Sequence, residues 1–117
     1  MSRRLALALA LATGALLSAC AATARFDAYE GDTTPRLGQG GAKTVVDGME
    51  IWTRGEPPRR YRIVGYLEMD QSPYTDTNKT AVARARQAGG DALVRGEVVQ
   101  VSESVFQVRY TVIQTVN

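Results

Sequence analysis

The chain contains no histidine and only one cysteine, Cys20, in 117 residues. The missing imidazole removes the commonest metal ligand and the commonest general base near neutral pH. Zinc and copper centres and Ser-His nucleophile systems are therefore excluded as expectations, and no metal or other cofactor is expected. A glycine-rich phosphate loop is missing as well, because Gly89-Gly90 follows the one clear helical pattern instead of opening it. Aromatic residues are only 7% of the chain, so a core must be built mainly from aliphatic side chains. The longest apolar run, Leu5 to Leu17, stops well short of the roughly 20 residues a membrane-spanning helix needs, and polar Thr23, Arg25 and Asp27 follow it.

What is present starts with a three-part leader. Arg3-Arg4 supplies positive charge, Leu5 to Leu17 an apolar stretch within the roughly 7–15 residues of a secretory signal, and Ser18-Ala19 the small residues before a cleavage point. Leu17-Ser18-Ala19-Cys20 then resembles the lipobox of bacterial lipoproteins. That resemblance implies cleavage before Cys20, acylation of its sulfur and amino group, and attachment of the protein to a membrane through the lipid. The other reading of Cys20 is an ordinary secreted thiol, free or paired between chains. In the lipoproteins the box resembles, an Asp after the cysteine retains the protein at the inner membrane. Ala21-Ala22 stand there instead, which implies the outer membrane, facing the periplasm.

Removal of residues 1–19 changes the charge argument. Of 14 basic residues Arg3 and Arg4 leave, and the remaining 12 face 12 acidic ones. The mature chain is formally neutral, without the concentrated basic footprint of a nucleic-acid-binding domain. Residues 20–41, rich in glycine and poor in hydrophobic periodicity, read as the lipidated cysteine and a flexible tether. Phe26 and Tyr29 are its two aromatic residues and leave open a short edge strand docked on the domain. The folded part is expected over 42–117, a size at which one core is thin.

Within it Lys43 to Trp52 reads as a first strand, ended by Gly55-Glu56-Pro57-Pro58. Arg60 to Met69 alternates, which puts Tyr61, Ile63, Gly65, Leu67 and Met69 on one face toward the core. Asp76 or Thr77 is a plausible cap for a helix over Asn78 to Ala88, with Ala81, Val82, Ala85 and Ala88 as its apolar stripe. Such a slim helix is expected to cross the sheet at Gly65, where no side chain intervenes. Asp91 to Val101 and Val105 to Val116 then read as a hairpin around Ser102-Glu103-Ser104. The expected class is α+β, in the order β-β-α-β-β, with one helix packed on a mixed four-stranded sheet.

Tyr61-Arg62-Ile63-Val64-Gly65, followed by the helix and Ala88-Gly89-Gly90-Asp91-Ala92-Leu93-Val94, is similar to a pattern in small envelope lipoproteins of unassigned function. It also resembles the module of heavy-metal-binding-domain-like proteins and of an outer-membrane stress-sensing lipoprotein of enteric bacteria. The likeness implies fold more than activity. This chain departs from the sensor in having no cysteine left for disulfides, and from a metal binder in having no soft ligand after processing.

Two surfaces are candidates for function. Arg60, Arg62, Arg95 and Arg109, with Arg59 beside them, are expected on the sheet face away from the helix, where planar guanidiniums suit a phosphate or carboxylate, or pair with Glu68 and Glu97. Val64, Tyr66 and Ile113 would leave apolar atoms on the same face for an envelope protein partner or a second copy. The function expected is a non-enzymatic, lipid-anchored binding, sensing or structural module. The alternative is an enzyme acting on cell wall or lipid with carboxylates alone, from Glu68, Asp70 and Asp76.

Overall fold

The computed structural model describes residues 24–71 and 76–117. The expected signal segment, residues 1–19, and Cys20 of the lipobox-like pattern lie outside them. The elements are β1 (Ala24–Ala28), β2 (Arg36–Leu37), β3 (Gly40–Val46), β4 (Met49–Glu56), β5 (Arg60–Gln71), α1 (Thr77–Gln87), β6 (Ala92–Gln100) and β7 (Phe106–Thr115). Strand accounts for 59% of the described residues, in one mixed seven-stranded sheet, so the expected four-stranded β-β-α-β-β arrangement is corrected to a mostly-sheet fold.

Asp47-Gly48 is the first reason for the difference. Both residues take positive φ, 49° and 81°, between the paired residues Val46 and Met49. That is the two-residue turn whose twist suits a hairpin and which Asp-Gly favours. It divides the expected first strand into β3 and β4. From this turn the two arms run antiparallel for a long way: Gly40 pairs with Glu56, Leu37 with Arg60 and Ala24 with Met69. The stretch expected as a tether therefore contributes β1 and β2, both hydrogen-bonded to β5. These short strands are held by pairing with a long neighbour, not by a local pattern of their own.

The sheet order is β1-β5-β7-β6-β4-β3, with β2 also on β5. β4 pairs with β6 in parallel only from Glu50 to Trp52, and β5 pairs with β7 along almost its whole length. Only residues 57–59 separate β4 from β5, yet the β6–β7 hairpin lies between them. The chain from Thr53 to Arg59 must therefore cross one face of the sheet. It takes the face away from the helix: the Arg59 guanidinium reaches back to Glu50 Oε1 at 2.5 Å, and Pro57 is fully buried. Under this crossing Tyr61, Ala92 and Ile113 form a small buried cluster, with Ile63 and Val94 against it.

A bulge at Val64, between Ile63 and Gly65, explains how β5 serves both faces. Such an extra residue shifts the alternation by one. Leu67 and Met69 belong to the larger helix-side core, whereas Tyr61 and Ile63 belong to the opposite cluster. The single core face expected for β5 is thus split in two. Val64 itself packs on the helix-side core, not on an open surface.

The helix-side core gathers Met49, Ile51, Leu67, Leu93, Val108, Tyr110 and Val112 from the sheet and Ala81, Val82 and Ala85 from α1. Asp76 caps α1 by accepting from the Lys79 amide at 3.3 Å, and Gly90 closes its far end by donating to the Ala85 carbonyl at 2.8 Å. Tyr110, fully buried, donates to Asn78 Oδ1 at 2.6 Å and lies 3.0 Å from Thr77 Oγ1, which ties the helix start to the central strand. Burial raises the pKa of this phenol. The approach at Gly65 is made by β1: a Cβ there would stand 2.5 Å from the Phe26 ring and from the Asp27 carbonyl. Phe26 lies between the sheet and α1, lining a shallow groove with Arg84, Gln87 and Ala88.

Candidate functional surface

Strand alternation places Tyr66, Glu68 and Asp70 of β5 on the face away from the helix, since Leu67 and Met69 point to the helix-side core. Arg25 pairs with Glu68, Arg109 with Glu68, and Gln107 with both Asp70 and Val99. These registers bring together residues from β1, β5, β7 and β6 beyond the point where the crossing segment covers the sheet. Two contiguous grooves result. One of about 280 Å³ is lined by Arg25, Glu68, Asp70 and Gln107. The other, of about 250 Å³, is lined by Glu68, Glu97, Val99, Val101, Gln107 and Arg109.

The charges of this trough are engaged with one another. Arg25 bonds Glu68 Oε2 at 2.6 Å and lies 3.5 Å from Asp27 Oδ2. Gln107 Nε2 donates to Asp70 Oδ1 at 3.3 Å. The Arg109 guanidinium stacks over the Tyr66 ring, 4.0 Å from its centre, and Tyr29 meets that ring edge-on at 6.1 Å. Such a face is polar and mixed in sign, with Val99 and Val101 as its apolar margin. The carboxylates weighed for catalysis are divided between roles: Glu68 and Asp70 stand in the trough, while Asp76 caps the helix.

A second charge cluster fastens the crossing. Lys43 and Arg59 both bond the Glu50 carboxylate, and these hydrogen bonds, Lys43 first, hold its pKa down to about 2. Lys43 also lies over the Trp52 ring, 5.5 Å from its centre. Tyr61, under the same segment, has its phenol pushed up to about 12 by burial and by the Glu56 carboxylate. The Trp52 indole nitrogen is buried without a hydrogen-bond partner among the described residues.

The four arginines expected together do not share a face. Arg60 and Arg62 alternate with buried Tyr61 and partly buried Ile63 and so project to the helix side, at the end of β5 remote from the trough. Arg95 is also on the helix side, opposite Tyr110 in register, and its guanidinium reaches Gln71 Oε1 at 3.4 Å. Arg109 alone faces the trough, and Arg59 is taken up by Glu50. The shift at Val64 is what moves Arg60 and Arg62 across. Of the apolar residues expected on this face, Ile113 is fully buried beneath the crossing, and Tyr66 is half-buried under Arg109. Arg25, Asp27 and Tyr29 were outside the expected domain, although the alternation Arg25-Phe26-Asp27 is itself a short strand signal.

No family model, curated protein or solved structure matches the chain. Among the described residues no helix is long and apolar enough to cross a membrane, and no group of three or more Cys, Asp or Glu side chains is placed to hold a metal ion.

Proposed function

We propose that the chain is a lipid-anchored cell-envelope module that binds a protein partner through the polar part of the trough, formed by Arg25, Glu68, Asp70, Gln107 and Arg109 of β1, β5 and β7, without catalysing a reaction. The observation that carries the binding half is the mixed-charge face itself, in which Glu68, Asp70 and Asp27 are each held by Arg25 or Gln107. The carboxylates weighed for catalysis are not set as a free pair: Glu68 is bonded by Arg25, Asp70 accepts from Gln107, and Asp76 caps the helix. This favours the interaction module over the carboxylate enzyme.

Anchoring rests on Leu17-Ser18-Ala19-Cys20 and on the charged and apolar segments before it. Several acyl chains on one residue give stable attachment where a single one binds reversibly. With Ala21-Ala22 after the cysteine, the outer membrane of a two-membrane cell is the proposed location. Metabolic labelling with a palmitate analogue tests the anchor: the native chain takes the label and fractionates with membranes, and Cys20→Ala loses both. Label retained by Cys20→Ala refutes it. Sucrose-gradient separation of the two membranes tests the location, with recovery alongside inner-membrane markers as the contrary result. Crosslinking in intact cells from Gln107 tests the trough, which predicts a discrete adduct that Arg109→Glu abolishes.

A further inference from the structure

Six large apolar side chains stand exposed among the described residues, and four of them, Val98, Val99, Val101 and Phe106, are 38–55% exposed at the distal end of the β6–β7 hairpin. They do not form one face. Val98 and Phe106 are in register with Val108 and Gln100 on the helix side, and Val99 and Val101 project to the other. A partner strand added to the edge would cover such an end only in part. That edge is also blunted, because Gly96-Glu97 form a bulge between Arg95 and Val98. A surrounding apolar medium suits side chains on both sides of a hairpin better than a flat partner does.

Register shows where this end lies relative to the start of the domain. Ala24 pairs with Met69, Met69 with Val108 and Val108 with Val98. The N-terminal end of β1 therefore faces the same way as the distal end of the hairpin. Val101 is three residues past Val98, about 10 Å at the usual rise per strand residue. Cys20 is four residues before Ala24 and so lies within about 14 Å of it, the limit set by a fully extended chain. A lipid on Cys20 is thus within chain reach of the level of the hairpin end.

We infer that the distal end of the β6–β7 hairpin rests in the lipid–water boundary, with Val98, Val99, Val101 and Phe106 against lipid, so that the domain is held at two points. The inference rests on the reading of Cys20 as the lipid-bearing residue. The contact is shallow. Ser102-Glu103-Ser104 and the outer edge of β6, which β4 has left beyond Val94, carry polar groups that need water or headgroups, so the hairpin lies oblique to the surface. Glu103 is the one charged residue from Val98 to Phe106, and zwitterionic lipid is sufficient.

The test uses the lipidated protein reconstituted in phosphatidylcholine vesicles. Acylation consumes the Cys20 thiol, so Val101→Cys or Val99→Cys provides one site for an environment-sensitive fluorophore. Gln114→Cys, at the other end of β7, provides the reference. Emission from positions 99 and 101 is expected to shift to the blue on reconstitution and to be quenched by lipids brominated in their acyl chains, with neither effect at 114. Vesicle-bound protein whose 99 and 101 probes stay as water-like as the 114 probe overturns the inference and leaves the anchor standing. A blue shift that brominated lipid does not quench and that grows with protein concentration assigns the patch to a second copy, and also overturns it. Protein that stays in the aqueous phase with a reactive Cys20 thiol overturns the anchor and the inference together.

Discussion

The two faces of the sheet are closed in different ways. On one, a separate element, α1, lies over Leu67, Leu93, Val108 and Val112, and Phe26 of β1 fills the gap beside it. On the other, the chain's own crossing from Thr53 to Arg59 covers Tyr61, Ala92 and Ile113, fastened by Arg59 on Glu50. The crossing reaches only half of that face, and the rest is the mixed-charge trough. β-Branched aliphatic residues therefore have opposite fates along one surface. Ile113 is fully buried, whereas Val99 and Val101 remain open where β4 has already departed.

The largest test of this contrast is Leu93→Ala. The residue is fully buried on the helix side, and the loss of its side chain is expected to destabilise the domain by about 2–5 kcal/mol, measured by chemical unfolding. Gly65→Val comes next. Overpacking against Phe26 is expected to cost about 1–3 kcal/mol, and Phe26→Ala in the same chain should recover part of it. Full additivity of the two changes would show that the ring is not what Gly65 accommodates. On the covered half of the opposite face, Ile113→Val should cost about 0.5–1.5 kcal/mol; no change in the unfolding midpoint would mean that the crossing does not seal the cluster.

Glu50 and Tyr61 give the crossing a pH signature at both ends. The folded Glu50 carboxyl titrates at about 2 against an ordinary 4.5, so its contribution is full above the higher value and is lost as pH falls from about 4.5 towards 2. Water screening limits this to about 1 kcal/mol or less, and Glu50→Gln should flatten that limb of the stability curve. The Tyr61 phenol, at about 12 against an ordinary 10, contributes fully below 10, and that contribution is lost as pH rises through 12. Tyr61→Phe should remove its share of the alkaline limb, leaving the share of the buried Tyr110 phenol, whose pKa burial also raises. The smallest effect belongs to the uncovered half, where Val99→Thr is expected to change stability by no more than about 0.5 kcal/mol.

How much of this was legible varies element by element. Asp76, the alanine stripe and Gly89-Gly90 are local signals, and α1 occupies nearly the span they marked. The alternation of β5 and β7 was readable for the same reason. Asp47-Gly48 was equally local and carries the strongest hairpin chemistry in the chain, but it lay inside an apolar run read as one strand. β1 offered only the short alternation Arg25-Phe26-Asp27 and an edge strand left open at Phe26 and Tyr29, and β2 no pattern at all, because their hydrogen bonds go to β5, roughly 40 and 25 residues away along the chain. The trough was missed with them, since Arg25 and Asp27 come from β1. The expected arginine cluster failed at a single residue: the bulge at Val64 sends Arg60 and Arg62 to the other side from Arg109.

By itself the sequence determined what needs only near neighbours. It placed the helix and its caps, the period of the long strands, and the absence of histidine that narrows the chemistry. Only the tertiary structure decided which strands exist at the edges, that β4 and β5 lie on opposite sides of one hairpin, and which half of each face is covered. Short strands and crossings leave little local signature, because the hydrogen bonds and burial that stabilise them are supplied by residues far away in the chain and exist only once the sheet has formed.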